Sequence, residues 1–357
     1  MPTHRADSAS PASAPTSAPP PVSSREVRLA ARPAGAVVPG DFALASVPVP
    51  ALREGQVLVR NTWMSVDPYM RGRMDDAPSY MPPFALGAAL EGSAVGEVIA
   101  SRDAGVEVGA TVTHFLGWRE YAVADGSAVT AVDVSAAAAE DYLGALGATG
   151  LTAYAALTRT APVREGDTVF VSAAAGAVGS VAGQLARRLG AARVIGSAGG
   201  PAKTRKLLDV FGYDAALDRH QGDLAGQLAQ AAPDGIDVCL DLVGGEHLEA
   251  ALGAVRRGGR IALVGSIGDY EATGPVAGPR NLFRTAALEV TLRGLLVTHH
   301  FDLFPQWRER AARWLADGGL RTEKTVVEGI ERAPEALLGV LGGANTGKML
   351  VRLGGAR

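Results

Sequence analysis

Between residues 25 and 149 the apolar positions come in short runs broken by proline and glycine. Gln56-Val-Leu-Val-Arg-Asn alternates apolar and polar side chains, the period-two pattern of a half-buried strand. Ala94-Val-Gly-Glu-Val-Ile-Ala is a second strand candidate, and Pro68, Pro82 and Pro83 divide the rest into loops. The pattern predicts a compact β-rich domain. From about Gly150 it changes, and apolar strands alternate with runs of helical spacing. Thr168-Val-Phe-Val-Ser precedes a helix over 178–189, and Val194-Ile-Gly-Ser precedes one over 202–211. Ile236-Asp-Val-Cys-Leu-Asp precedes a helix over 247–256, and strands follow at 260–265 and 289–297. Such alternation predicts a parallel sheet with helices on both faces. Residues 323–353 hold two short strands around a helix. They are expected to return to the β-rich domain, which makes the α/β segment an insertion.

Residues 1–24, built from Pro, Ala and Ser, lack an apolar block. A secretory signal needs a continuous hydrophobic segment, so none is expected there. The stretch cannot bury enough apolar area to offset its ordering entropy and reads as a disordered tail. The longest uncharged stretch, 168–186, is too rich in Gly, Ala and Ser to enter lipid favourably. A length of 357 residues favours two domains, and 47% apolar with 20% charged residues excludes global disorder. A formal net charge of −3 provides no general field for a polyanion, so no nucleic-acid partner is expected. The one cysteine, Cys239, excludes an intrachain disulfide framework and fits a reduced, cytoplasmic setting.

The chemistry concentrates after the first α/β strand, at Ala173-Ala-Ala-Gly-Ala-Val-Gly-Ser-Val-Ala-Gly183. Gly176 would let the backbone approach a pyrophosphate, and Gly179 would let the helix pack on the strand. The helix start would present free N–H groups and partial positive charge to the phosphates. Ala174 stands where the usual motif has its first glycine. A bare packing turn is the other reading, but the strand–turn–helix context favours a dinucleotide. An NAD site ends its second strand with an acid for the ribose hydroxyls. Here the strand ends Val194-Ile-Gly-Ser-Ala-Gly-Gly, and Lys203, Arg205, Lys206 and Arg219 follow. The missing acid and the nearby cations point to NADPH, although Lys203 and Lys206 also read as solvated helix charges. One cysteine and six histidines, of which only His299 and His300 are adjacent, disfavour a catalytic zinc. No metal is expected.

Ser65-Val-Asp-Pro-Tyr-Met-Arg71, Gly150-Leu-Thr-Ala-Tyr154, the glycine-rich turn, Asp241-Leu-Val-Gly-Gly245, Gly278-Pro-Arg-Asn281 and Asn345-Thr-Gly-Lys348 occur in that order. Together they resemble the zinc-independent medium-chain dehydrogenases/reductases, in the leukotriene B4 12-hydroxydehydrogenase, prostaglandin reductase and curcumin reductase branch. The resemblance implies an α/β fold in which a Rossmann-type doubly wound parallel sheet (151–319) is inserted into a β-rich GroES-like catalytic domain (25–150 and 320–357). It also implies residue roles. Gly176, Ala177, Val178, Gly179 and Ser180 would cradle the pyrophosphate, Lys203 would hold the 2′-phosphate, and Thr152 and Ser197 would touch the cofactor. Gly265, Ser266, Ile267 and Tyr270 would lie beside the nicotinamide ribose. Leu295, Leu296 and Val297 would serve the carboxamide, Asn345 would close over the cofactor, and Tyr69 and Tyr80 would line the substrate cleft. Arg219 departs from the family's frequent Tyr and would strengthen phosphate binding, whereas Leu242 departs from Asn and loses a polar contact.

The implied reaction is NADPH-dependent reduction of a C=C bond in an α,β-unsaturated ketone or aldehyde, with hydride to the β-carbon. Tyr270 and the nicotinamide ribose 2′-hydroxyl are the candidates to stabilise the enolate, and water the candidate proton source. Tyr270 also reads as a residue that only packs the cofactor. The competing functions are an NADPH-dependent quinone oxidoreductase and a non-catalytic NADPH-binding redox sensor. A polyketide-synthase enoyl reductase shares the fold but would sit in a larger chain. The strand expected at 289–297 offers a sheet edge, and the resemblance implies a homodimer through that domain.

Overall fold

The computed structural model describes residues 23–354. Its N-terminal part is β-rich. Strands β1 (Ser23–Leu29) and β2 (Phe42–Pro48) form an antiparallel pair. Strands β3 (Gln56–Ser65), β4 (Ala94–Ser101), β5 (Thr111–His114), β6 (Tyr121–Asp125) and β7 (Thr130–Ala131) build most of a seven-stranded sheet. Helix α1 (Tyr69–Arg73) projects from the end of β3. Its apolar side, Met70 with Met64, Met74, Leu90 and Trp118, is fully buried.

Helix α2 (Ala148–Ala155) leads into the second part. There β8 (Thr168–Val171), α3 (Gly179–Arg188), β9 (Arg193–Ala198), α4 (Pro201–Asp209), β10 (Ala215–Asp218), α5 (Leu224–Ala231), β11 (Ile236–Asp241), α6 (Gly245–Ala254), β12 (Val255–Leu263), α7 (Arg284–Ala287), β13 (Thr291–Gly294) and α8 (Phe304–Ala316) follow in turn. The sheet order is β10-β9-β8-β11-β12-β13, with every pair parallel. Period two explains why the strands read as unbroken apolar runs. Val169, Val171, Val194, Val238 and Leu240 enter the core on one face, while Phe170, Ile195, Cys239 and Ile261 enter the core on the other. The chain then returns to the first sheet through β14 (Lys324–Glu328), α9 (Ala333–Leu341) and β15 (Lys348–Arg352). β15 pairs antiparallel with β3, Leu350 opposite Ser65. The α/β layer is thus inserted between two parts of one sheet.

Several boundaries differ from the sequence pattern, at three places with a visible cause or consequence. Strand β1 begins at Ser23, two residues inside the expected tail, because the Ser24 hydroxyl accepts the Tyr121 N–H at 3.1 Å; the remainder of that tail lies outside the described residues. The helix expected over 247–256 starts at Gly245, and Val255 and Arg256 belong to β12. The strand expected over 289–297 shortens to Thr291–Gly294. Glu289 takes a left-handed φ of +53°, and Val290 donates back to Thr285 at 2.8 Å, so pairing starts only beyond them.

His114 shows how the first domain handles a buried titratable group. Its Nε2 meets Asn61 Oδ1 at 2.8 Å, and its Nδ1 accepts the Leu116 N–H at 3.0 Å. The acceptor role of Nδ1 requires the neutral ring. Burial, reinforced by Arg119, lowers its pKa from 6.5 to about 4. A folded pKa below the unfolded one gives stability that is complete above pH 6.5 and is lost as pH falls through 4. Its size is on the order of 3 kcal/mol. Urea denaturation is expected to give a stability that declines over that interval. In His114→Gln, which keeps a hydrogen-bonding group that does not titrate, this part of the slope should disappear.

Candidate active site

The carboxyl ends of β8 and β11 are where the strand order reverses, and ligands of open α/β sheets bind outside such points. Here the two ends are locked together. Ser172 Oγ donates to Asp241 Oδ1 and accepts the Leu242 N–H, both at 2.7 Å. Asp241 also accepts the N–H groups of Val243 and Gly244 at 3.1–3.3 Å. Burial raises the Asp241 pKa, an effect these hydrogen bonds oppose.

The glycine-rich turn leaves β8 through Ala173, a non-glycine residue at φ +46°. Ala174, at the replaced glycine position, is fully buried. Its methyl group is accommodated because residue 196 opposite is glycine; a β-carbon there would lie 2.6 Å from it. Gly179 is equally constrained, since a β-carbon would sit 2.5 Å from Ala174 Cα. Tyr213 fills the remaining space. Its hydroxyl donates to the Gly179 carbonyl at 2.7 Å, and its ring occupies the room that side chains at 183 or 196 would need. Helix α3 therefore starts very close to the sheet. No side chain caps it, and the N–H groups of Ala177 and Val178 have no acceptor among the described residues. That is the open donor set of an anion-binding helix start.

The turn floors a cleft of about 590 Å³ between the two sheets. Gly176, Ala177 and Val178 line it, as do Thr152, Ser197, Lys203 and Arg219. Further along lie Gly265, Ile267, Tyr270, Leu295, Leu296, Val297 and Asn345, then Tyr69 and Tyr80 on the opposite wall. Three expected residues do not reach its surface. Gly179 and Ser180 lie behind the turn, Gly179 facing Tyr213 and Ser180 buried. Ser266 turns its hydroxyl to Asp269 and packs over Gly244.

At one end the cleft is cationic. Lys203 Nζ donates to the Gly343 carbonyl across the domain boundary. Burial lowers the Lys203 pKa, and Arg219 beside it lowers it further. Neither cation has a carboxylate partner within 4.0 Å among the described residues. Lys206, equivalent in the sequence, is paired with Glu323 and so is occupied. Asp218, the nearby acid, turns to backbone, accepting Gly200 N–H at 2.8 Å and His220 N–H at 3.0 Å. Ser197 Oγ is buried without a hydrogen-bond partner. His247 also lines this end and escaped the sequence reading. Burial, with Arg219 adding to it, lowers its pKa to about 4, so it is neutral at pH 7.

The other end is aromatic. Phe115 stacks on Tyr69 with centroids 6.5 Å apart, a contact between distant segments that the sequence did not signal. The Tyr69 hydroxyl is buried with no partner, and burial raises its pKa. Tyr80 is pushed up to about 12, first by burial and then by Tyr270 nearby. Burial likewise raises the Tyr270 pKa. All three phenols carry their protons at neutral pH and are available as donors. The Asn345 amide donates to Gly347 O at 2.7 Å, which fixes its own loop. Among the described residues no group of three or more His, Cys, Asp or Glu side chains is arranged to hold a metal ion.

Comparison with known proteins agrees with this architecture. Residues 25–132 match the family described as the N-terminal domain of oxidoreductase, and residues 177–317 match the one described as zinc-binding dehydrogenase. The chain is 36% identical to the NADPH-dependent curcumin reductase of Escherichia coli, over 92% of this chain and 96% of that one. It is 37% identical to the NADP(+)-dependent 2-alkenal reductase of Nicotiana tabacum, over 83% and 86%. The crystal structure of CurA from Vibrio vulnificus in complex with NADPH superposes with a TM-score of 0.88 at 36% identity, covering 93% of this chain and 99% of that one. The chain belongs to the medium-chain dehydrogenase/reductase family, in its zinc-independent branch.

The left-handed alanine gives a direct test of the turn. An L-residue in that conformation costs about 1–2 kcal/mol, while a glycine loses about 0.5–1 kcal/mol more chain entropy on folding. Ala173→Gly is therefore expected to leave stability unchanged or raise it by up to about 1.5 kcal/mol, read as a higher urea midpoint. A clear loss would show that the Ala173 methyl makes contacts outweighing its backbone strain.

Proposed function

We propose that this member of the family is an NADPH-dependent reductase of carbon–carbon double bonds conjugated to a ketone or aldehyde. The observation that carries the reading is one cleft that joins two cations without acidic partners among the described residues to an aromatic compartment whose donors are tyrosine hydroxyls. The named activities of the two reductases above support the same reaction class.

The residues present fit the cofactor. The uncapped start of α3 offers N–H groups at Ala177 and Val178 for the pyrophosphate, and Gly176 leaves room for it to approach. Lys203 and Arg219 would hold the 2′-phosphate by charge-assisted contacts. The buried Ser197 hydroxyl lacks a partner that an adenosine sugar would provide. Thr152, Gly265, Ile267 and the backbone of Leu295 to Val297 would flank the nicotinamide half, with Asn345 on the opposite side. When bound, NADPH supplies a hydride for the β-carbon of the substrate.

Reduction at the β-carbon leaves negative charge on the substrate's carbonyl oxygen as an enolate. Tyr270 is our candidate to donate a hydrogen bond to that oxygen, and its raised pKa keeps the proton in place. Tyr69 and Tyr80 orient the enone from the facing wall. The aromatic lining restricts water around the developing charge, which strengthens each donor. The α-carbon takes its proton from water at the open side of the cleft.

The reading is tested with a panel of enones of graded length, following loss of reduced-nicotinamide absorbance with NADPH and NADH compared. Turnover of no enone would overturn it. Tyr270→Phe is expected to lower turnover by roughly 100-fold, about 3 kcal/mol, with little change in NADPH affinity. Unchanged turnover would remove Tyr270 from the chemistry. Lys203→Ala and Arg219→Ala should each weaken NADPH binding by roughly 10-fold or more and narrow the NADPH/NADH preference. An unaltered preference would contradict the phosphate assignment.

A further inference from the structure

We propose that Lys348 is a positioning residue that sets the distance between the two halves of the active site. The proposal rests on the reductase reading and names a brace within it. The Lys348 side chain is 5% exposed, yet it carries a charge. Its Nζ donates to Asp67 Oδ1 at 2.7 Å and to the Val66 carbonyl at 3.0 Å. The other carboxylate oxygen of Asp67 accepts the Ser65 hydroxyl. The Asp67 carbonyl accepts the Met70 N–H at 3.1 Å, and so begins the turn from which Tyr69 projects. The three groups Lys348, Asp67 and Ser65 therefore clamp the root of the helix that bears a substrate-facing tyrosine.

The other end of the brace is the phosphate turn. Gly347, the preceding residue, donates its N–H to the Ala175 carbonyl at 2.7 Å and forms a bridge with Gly176. It cannot be moved sideways. Its φ is +63°, and a β-carbon would lie 1.9 Å from the Glu323 carbonyl. Two consecutive residues thus grip the turn that would carry the cofactor and the loop that carries Tyr69. The ion pair holds the Tyr69 loop, and the backbone of the residue beside it holds the turn. A buried ion pair is a weak source of net stability, because desolvation offsets most of its attraction. Its directional geometry makes it better suited to fixing position. Hydride transfer needs its reacting atoms at about 3–3.5 Å, and a misplacement of about 1 Å costs roughly 100-fold in rate.

The test compares wild type with Ser65→Ala, Lys348→Met and the double variant Asp67→Asn/Lys348→Met. Removing Lys348 alone strands a buried carboxylate, so Lys348→Met should lose thermal stability. The double variant removes both charges and should recover it. Three quantities are read for each folded protein: the NADPH Kd from nicotinamide fluorescence, kcat with an enone, and the isotope effect with NADPH deuterated at the transferred position. For the double variant we expect a Kd equal to that of wild type, kcat down about 10-fold or more, and a larger isotope effect as hydride transfer becomes limiting. Ser65→Ala, which loosens Asp67 without stranding a charge, should show a smaller fall in kcat with Tm retained. A double variant with wild-type kcat and isotope effect overturns the brace, as does a loss of NADPH affinity in proportion to the loss of rate. If the double variant does not fold, wild-type kcat in Ser65→Ala overturns it. The wild-type rate reports on the reductase reading itself: an inactive wild type overturns both, an unimpaired variant only the brace.

Discussion

The close approach of α3 to β8 and β9 governs the site. A helix carries unsatisfied N–H groups only at its start, and the field they create fades within a turn. They can act on a ligand at the sheet's edge only if the helix begins almost in contact with the strands. Side-chain volume decides whether it can. Glycine at 179, 183 and 196 clears the space, and Tyr213 then fills it and holds the Gly179 carbonyl. The methyl of Ala174 is tolerated for the same reason, because its neighbour across the strand has no side chain. The Ser172–Asp241 lock completes the edge by tying the two diverging strands together.

Electrostatics divide the cleft into unlike ends. Lys203 and Arg219 stand close enough for one to depress the other's pKa, an arrangement unfavourable without an anion between them. His247 adds hydrogen-bonding capacity there without a third charge, since burial keeps it neutral. At the opposite end burial raises the pKa values of Tyr69, Tyr80 and Tyr270, phenols already protonated at neutral pH.

The alternation of strand and helix was legible because each parallel strand is buried on both faces and appears as an apolar run. The tight turn before α3 was legible because close packing there needs small residues at fixed spacing. What escaped depends on residues far apart in the chain. Lys203 and Lys206 look alike until Glu323, more than a hundred residues on, pairs with one of them. Phe115 becomes part of the cleft wall only when β5 brings the loop after it over Tyr69. Ser180 fits the motif by position, but the packing that seats α3 also buries it. The edge strand was overextended because Glu289 looks compatible with a strand while its backbone is left-handed.

The insertion of one domain into the other gives the cleft a physical advantage over a site on a single sheet. The chain crosses between the layers twice, at residues leading into α2 and again after α8, so the walls cannot separate freely. The segment entering β15 then joins them at two points, where Lys203 reaches Gly343 and Gly347 reaches Ala175, while Lys348 ties the same segment to Asp67 within the first domain. Each contact uses a backbone carbonyl or a buried carboxylate, groups that do not compete well for water once enclosed. The wall that carries Tyr69 is thereby fixed relative to the glycine-rich turn. Pre-paid order of this kind lowers the entropy lost on the way to the transition state.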